Sequence, residues 1–199
     1  MTRDIIESIP DQAGAYFLMD SWYTNPDILH ACEKKGCFLI GAMKTNRILY
    51  PSGQKTSAMD YAKSLLPDQF HPVTVKDRSY LVHRYEGSLN KIPHTVVLLS
   101  YPENAFGQSG ALRIFLCSDS SLKDETILAY YSNRWSIEVM FRSQKRYMGF
   151  KSFMVRTVKA FDRLLIILCL AHFFFTCGLG LILPFHAAIR FARAAFGIS

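Results

Sequence analysis

The sequence predicts an α/β domain carrying a β-rich antiparallel insertion, and three observations point there. A short apolar run, Ala15 to Met19, closes on Asp20, and a second, Cys37 to Met43 (CFLIGAM), follows about one helix length later. Between them Asn25-Pro26 opens a helix that Gly36 ends, so residues 15–43 form a strand-helix-strand unit of the kind that pairs in parallel. From Tyr50 to about Ser118 the texture changes to β-branched and aromatic runs separated by turns, the pattern of an antiparallel meander.

Taken in order, Met1 to Gly14 is polar and turn-rich and reads as the end of a segment lying before the domain. Ala15 to Met19 lacks polar alternation, so it is a buried strand delivering Asp20 to the sheet edge at its carboxyl end, where ligands bind in open α/β sheets. In the helix that follows, Asn25 is the N-cap and Pro26 occupies the first turn. The second strand runs directly into Lys44-Thr45-Asn46-Arg47. This polar, basic turn beside the Asp20 edge is either a holder of DNA phosphates or simply a basic loop. Tyr61 to Leu66 is a short helix, and Tyr80 to Tyr85, Thr95 to Tyr101 and Leu112 to Cys117 are the meander strands. Lys76, Arg78, His83, Arg84 and Lys91 add cations to this stretch, each on its own an ordinary surface charge.

Ser121 with Asp124, before Ile127 and Leu128, resembles a capping box that starts the next helix. That helix includes Tyr131 to Lys145. Each residue advances roughly 100° around a helix axis, so Tyr131, Arg134, Glu138, Arg142 and Lys145 share an arc of about 60°. Ile137, Met140 and Phe141 point elsewhere and are expected to bury against a sheet. The stripe reads in two ways. One is a solvated face with Arg134–Glu138 and Glu138–Arg142 pairs. The other is a metal-binding carboxylate flanked by phosphate-binding cations, which the excess of bases over the single acid favours.

These residues carry a resemblance. Tyr131, Arg134, Glu138 and Lys145 match in full the spacing Tyr-x-x-Arg, three residues, Glu, six residues, Lys, and this resembles the Tyr-Arg-Glu-Lys signature of bacterial insertion-sequence DDE transposases. Phe17 to Leu29 (FLMDSWYTNPDIL) is similar to the segment around that family's second catalytic Asp. The likeness runs from about Ala15 to about Phe175. It implies a ribonuclease-H-like fold, Asp20 and Glu138 as catalytic metal ligands, and Mg²⁺ or Mn²⁺ as cofactor. It also implies double-stranded DNA, both insertion-sequence ends and target, as partner. Arg134 and Lys145 would clamp phosphates, and Tyr131 would contact the backbone or order Glu138. Arg142, Lys44, Asn46 and Arg47 complete the expected DNA-binding set, and a homodimer is implied. Residues 15–185 then form a partial catalytic domain with the insertion at 50–118, between an N-terminal remnant at 1–14 and a tail at 186–199.

One ligand of such a site has no match. The family's first Asp lies on an earlier strand, whereas Asp4 and Asp11 have no apolar strand leading into them. Asp119, after LRIFLC, has the texture of a strand-end ligand but reads more simply as a turn or capping residue. The expectation is an incomplete, C-terminal portion of a transposase that is inactive alone. Trp22 and Tyr23 could stack on an unpaired base, but packing under the loop is the simpler reading.

Composition bounds the alternatives. Half the residues are hydrophobic and 20% are charged, which excludes general disorder. With 23 Lys plus Arg against 16 Asp plus Glu, the net charge of +7 suits a polyanionic partner. Cys32, Cys37, Cys117, Cys169 and Cys177 include no C-x-x-C pair, which argues against zinc and for a reduced, cytoplasmic setting, and the resemblance further implies nucleoid association. Leu164 to Phe185 is apolar enough to be a membrane span by length, but a core helix packed on the sheet is favoured, with His172 at least partly buried. A DNA-binding regulator that does not cut, and a small membrane protein anchored by 164–185, are the alternative functions.

Overall fold

The structure is a computed structural model that describes residues 2–11, 14–90, 92–108, 110–148, 154–178 and 187. The chain divides into two compact units, residues 1–134 and 135–199.

The first unit is built on the expected strand-helix-strand unit. β1 (Tyr16–Met19), α2 (Pro26–Lys34) and β2 (Phe38–Met43) follow one another, and β1 pairs with β2 in parallel, Tyr16 opposite Phe38 and Met19 opposite Gly41. The side chain of Asn25 accepts from the Ile28 amide, which caps α2 as its residue type predicts. The segment before β1 is more ordered than its composition suggests. Thr2–Ser8 forms a helix, α1, with Ile6 fully buried in the same core as α2.

β3 (Ile48–Leu49), β4 (Thr56–Ser57), α3 (Ala58–Ser64) and β5 (His71–Val75) come next, then the long strands β6 (Arg78–Leu89) and β7 (Ile92–Pro102) and finally β8 (Arg113–Cys117). The meander is antiparallel as expected, but it does not stand apart. β8 pairs with β2, so the meander strands extend the same mixed sheet in the order β1-β2-β8-β7-β6-β3-β4, with β5 alongside β6. Both faces of this sheet are covered. Along β7, Val97 and Leu99 face a core shared with α1, α2 and α3, while Val96 and Leu98 face a second core shared with Ile127 and Leu128. Strand residues alternate between faces, so two covered faces explain why these runs are continuously apolar.

Ile127 and Leu128 belong to α4 (Asp124–Ser132), and here the structure departs from expectation. Ser121 does not cap this helix. Its amide and hydroxyl both donate to Asp119 Oδ1, at 2.9 and 2.6 Å, and the N-cap position falls to Lys123. Asp124 instead accepts from Arg84 Nη1 at 2.7 Å, and Arg84 also donates to the Ser120 and Leu122 carbonyls and to Glu86. His71 Nε2 lies 3.0 Å from the other Asp124 oxygen. His83 contacts the Tyr61 hydroxyl and the Gln69 carbonyl. Both Arg84 and His83 therefore serve the fold of the insertion.

The expected single helix through Lys145 is also broken. α4 stops at Ser132 and α5 (Trp135–Tyr147) begins afresh. At the junction the Asn133 and Arg134 amides donate to the Tyr130 and Tyr131 carbonyls, a tightened i to i−3 pattern that ends α-helices. Asn133, a weak helix former, turns its side chain outward to accept from Lys76 Nζ at 2.9 Å. The five residues of the expected stripe thus do not share one helix: Tyr131 is on α4, Arg134 at the junction, and Glu138, Arg142 and Lys145 on α5.

The second unit holds α5 and α6 (Val158–Phe173), which Thr157 caps by accepting from the Ala160 amide. Gln144, fully buried on α5, reaches toward Cys169 Sγ on α6 at 3.9 Å. Ile137 is exposed, contrary to its expected burial, while Met140 and Phe141 are half-buried. On α6 Leu168 is buried but Ile166, Ile167, Leu170 and Phe173 are exposed, so the helix is not buried all round as a core helix would be. His172 is half-buried, and burial holds its imidazole pKa below the ordinary value. Among the described residues no helix is long and apolar enough to cross a membrane. Residues 179–186 of the apolar stretch, and all of the tail but Ala187, lie outside the described residues.

Candidate active site

The carboxyl ends of β1 and β2 lie at the same sheet edge because the two strands are parallel and in register. Asp20 leaves β1 there, and Lys44 to Arg47 leave β2 there. The turn after Asp20 is closed by its own groups. Asp20 Oδ1 accepts from the Trp22 amide at 2.9 Å, and the Asp20 carbonyl accepts from the amides of Tyr23 and Thr24 and from the Thr24 hydroxyl. Aspartate favours this conformation because its side chain can close a turn on the backbone two residues ahead.

The basic turn is built against this one. Arg47 Nη2 donates to the Thr24 carbonyl at 2.7 Å, and Lys44 Nζ sits 4.3 Å from the centre of the Trp22 ring. The Ala58 and Met59 amides at the start of α3 donate to the Arg47 and Thr45 carbonyls, which fixes the basic turn from its other side. Lys44 and Asn46 are exposed, and Arg47 is half-buried. Beneath the pair, Thr24 is buried directly over Gly41 of β2. A Cβ at position 41 would lie 2.2 Å from Thr24 Oγ1. Neither Thr24 nor Gly41 stood out in the sequence, although a glycine inside a strand is a sign of close backbone approach.

Trp22 is 77% exposed and Tyr23 51%, so neither packs under the loop as the simpler reading had it. Asp119 lies at the other end of the sheet. β8 is antiparallel to β2 and ends opposite Ile40, so Asp119 meets the start of β1, where Tyr16 donates its hydroxyl to Asp119 Oδ2 at 2.5 Å. Burial by itself would raise the Asp119 pKa, but the hydrogen bonds from Ser121 and Tyr16 outweigh it and hold the carboxyl below its ordinary value. It is a turn carboxylate with both oxygens engaged.

On the first unit's other face, Tyr131 is half-buried against Phe115, with ring centres 4.7 Å apart, and the Arg134 guanidinium lies 5.7 Å from the Tyr131 ring centre. In the second unit Glu138, Arg142 and Lys145 recur at helical spacing along α5. Together with Phe141 and Arg146 they line one open recess of about 610 Å³. A half-buried carboxylate among three cations on one surface is a setting for an anionic ligand. Asp20 belongs to the first unit and Glu138 to the second. Among the described residues no three His, Cys, Asp or Glu side chains gather into a metal-binding cluster.

The family profile described as "Transposase DDE domain" matches residues 1–174. The chain belongs to that family. A search of curated proteins gave no match. The family's match covers every element from α1 through α6. In the transposase domain, then, the mixed sheet presents Asp20 at its edge. Burial pushes the thiols of Cys32 and Cys117 up to about 11, which leaves them protonated at neutral pH.

Proposed function

We propose that the chain serves, as part of an intact parent transposase and without activity alone, metal-dependent cleavage and transfer of DNA strands at insertion-sequence ends, with Asp20 and Glu138 as two of the metal-binding carboxylates. The observation that carries this reading is the placement of Asp20 at the carboxyl end of β1, beside a cationic turn leaving the parallel neighbour β2. We read β1-α2-β2 as part of a ribonuclease-H-like core into which 50–118 is inserted.

The donor chemistry fits a hard divalent ion, Mg²⁺ or Mn²⁺, because carboxylate oxygens are the ligands such ions prefer. Asp20 spends Oδ1 on the Trp22 amide, and Oδ2 has no protein partner among the described residues. A bound pair of ions supplies the charge that activates an attacking water or 3′-hydroxyl and steadies the leaving oxygen. The chain's own residues do the holding. Asp20 is fixed by its turn, and Arg47 braces that turn through the Thr24 carbonyl while its charge faces the same edge as Lys44 and Asn46. These three meet backbone phosphates. Along α5, Arg142 and Lys145 hold phosphates beside Glu138, with Arg134 and Tyr131 at the preceding junction contributing a further cation and an aromatic contact.

The test is cleavage of double-stranded DNA carrying the element's ends, with Mg²⁺ or Mn²⁺, by the intact parent transposase and by its Asp20→Asn and Glu138→Gln forms. The reading expects metal-dependent cutting that both substitutions abolish while DNA affinity changes less than about twofold. Cutting that survives both substitutions overturns it. DNA binding without cutting assigns the chain instead to the class of non-catalytic DNA-binding regulators.

A further inference from the structure

Trp22 is the most exposed aromatic side chain of the first unit, and it stands two residues from Asp20. Tyr23 lies next to it in the chain, and adjacent exposed aromatic rings are the kind of apolar surface that marks an interaction site. The backbone that carries this ring is anchored. Its backbone amide is bound by the Asp20 carboxylate at 2.9 Å, and the turn that carries it is anchored by the buried Thr24 and by Arg47. Lys44 Nζ lies 4.3 Å from the ring centre, within cation–π range, so one face rests against a positive charge. Tyr23, beside it, is half exposed.

We propose that Trp22, backed by Lys44, is a stacking platform for an unpaired nucleobase of the DNA strand whose phosphate lies at Asp20. A nucleobase is the ligand class that fits best. It has a flat π-face to match the indole, it brings a phosphate to pair with the adjacent cation, and aromatic platforms combined with cationic grooves are how single-stranded segments are gripped. A fully paired base keeps its faces inside the duplex stack, so the platform takes a base at a frayed or single-stranded end. This inference rests on the reading of Asp20 as part of a DNA-processing edge.

The experiment uses the full chain without divalent metal and two probes, a blunt duplex and the same duplex with a short unpaired 3′ extension. Trp22→Ala is expected to weaken binding of the extended probe about tenfold, the usual scale for losing one stacked base, while blunt-duplex affinity stays within about twofold. Trp22→Phe, which keeps a ring, restores most of the loss. In a Trp135→Phe background Trp22 is the sole tryptophan, and its fluorescence is expected to be quenched by the extended probe and not by the blunt one. Equal losses on both probes, no loss on either, or no difference in quenching overturns the platform while leaving the DNA-processing reading standing. Failure of the chain to bind either probe overturns both.

Discussion

Thr24 packs its hydroxyl directly onto the backbone of Gly41, closer than any side chain at position 41 would allow. The same hydroxyl donates to the Asp20 carbonyl, so a turn residue buried against the sheet fixes the height at which Asp20 leaves it. Gly41→Ala is expected to destabilise the fold by about 1–3 kcal/mol, the range for overfilling a packed site. It is also expected to weaken Mn²⁺ binding by displacing the Asp20 turn. Because the clash is with Thr24, Thr24→Ala should cost less in the Gly41→Ala background than alone. Chemical denaturation of the four proteins gives the coupling, and strict additivity would show that the two side chains do not meet.

Arg84 ties the start of α4 to the insertion, bonding Asp124, Glu86 and the carbonyls of Ser120 and Leu122. Its side chain is 22% exposed and that of Asp124 10%, so water screens the pair only partly. Arg84→Ala is expected to cost about 2–3 kcal/mol, below the full penalty for orphaning one partner of a dry pair. Arg84→Lys should recover little, since an ammonium cannot reproduce the guanidinium fork. Urea unfolding measures both, and a loss below about 0.5 kcal/mol for the Ala variant would show the network to be dispensable.

The Tyr16–Asp119 bond makes stability depend on pH at both extremes. Hydrogen bonds lower the Asp119 pKa on folding, so its contribution is full above about pH 4, the unfolded Asp range, and is lost as pH falls through the folded value. Burial, followed by the bond to Asp119, raises the Tyr16 pKa, so its contribution is full below about pH 10 and lost as pH rises further. Asp119→Asn is expected to flatten the acid limb of stability against pH, and Tyr16→Phe the alkaline limb. Unchanged limbs in unfolding titrations would mean that other groups set them.

Cations on α5 should register in the salt dependence of DNA binding. Neutralising one phosphate contact lowers the slope of log K against log salt by about 1. Arg142→Gln and Lys145→Gln are each expected to do this while weakening binding alike on unrelated duplexes. Lys145→Gln with an unchanged slope would remove Lys145 from the phosphate contacts.

Much of the fold can be read from local pattern, and the site less so. The β1-α2-β2 unit is legible because Asn25-Pro26 and Gly36 are strong punctuation and because continuous apolar runs identify strands covered on both faces. The break between α4 and α5 is not, because 3.6-residue periodicity continues smoothly from Tyr131 to Lys145 while the stop depends on a weak helix former, Asn133, held by Lys76 from a distant hairpin. Ser121 looks like a cap in sequence, yet Asp119 claims its donors. Asp20 is legible as a strand-end carboxylate, whereas its support from Thr24, Gly41 and Arg47 comes from approaches across the sheet edge that no local pattern encodes. The burial expected for Trp22 follows the average behaviour of tryptophan, and its observed exposure is a departure of the kind that functional surfaces show.

The proposed sharing of metal ions by Asp20 and Glu138 is tested most directly by replacing Mg²⁺ with Fe²⁺ in the full chain and adding ascorbate and peroxide, so that radicals formed at the ion cut the polypeptide beside its ligands. The account predicts cuts next to both Asp20 and Glu138, with both sets lost in Asp20→Asn and both lost in Glu138→Gln, because under the proposal the two carboxylates would hold one pair of ions together. Cuts near only one of the two residues, or cuts near Glu138 that persist in Asp20→Asn, would contradict it.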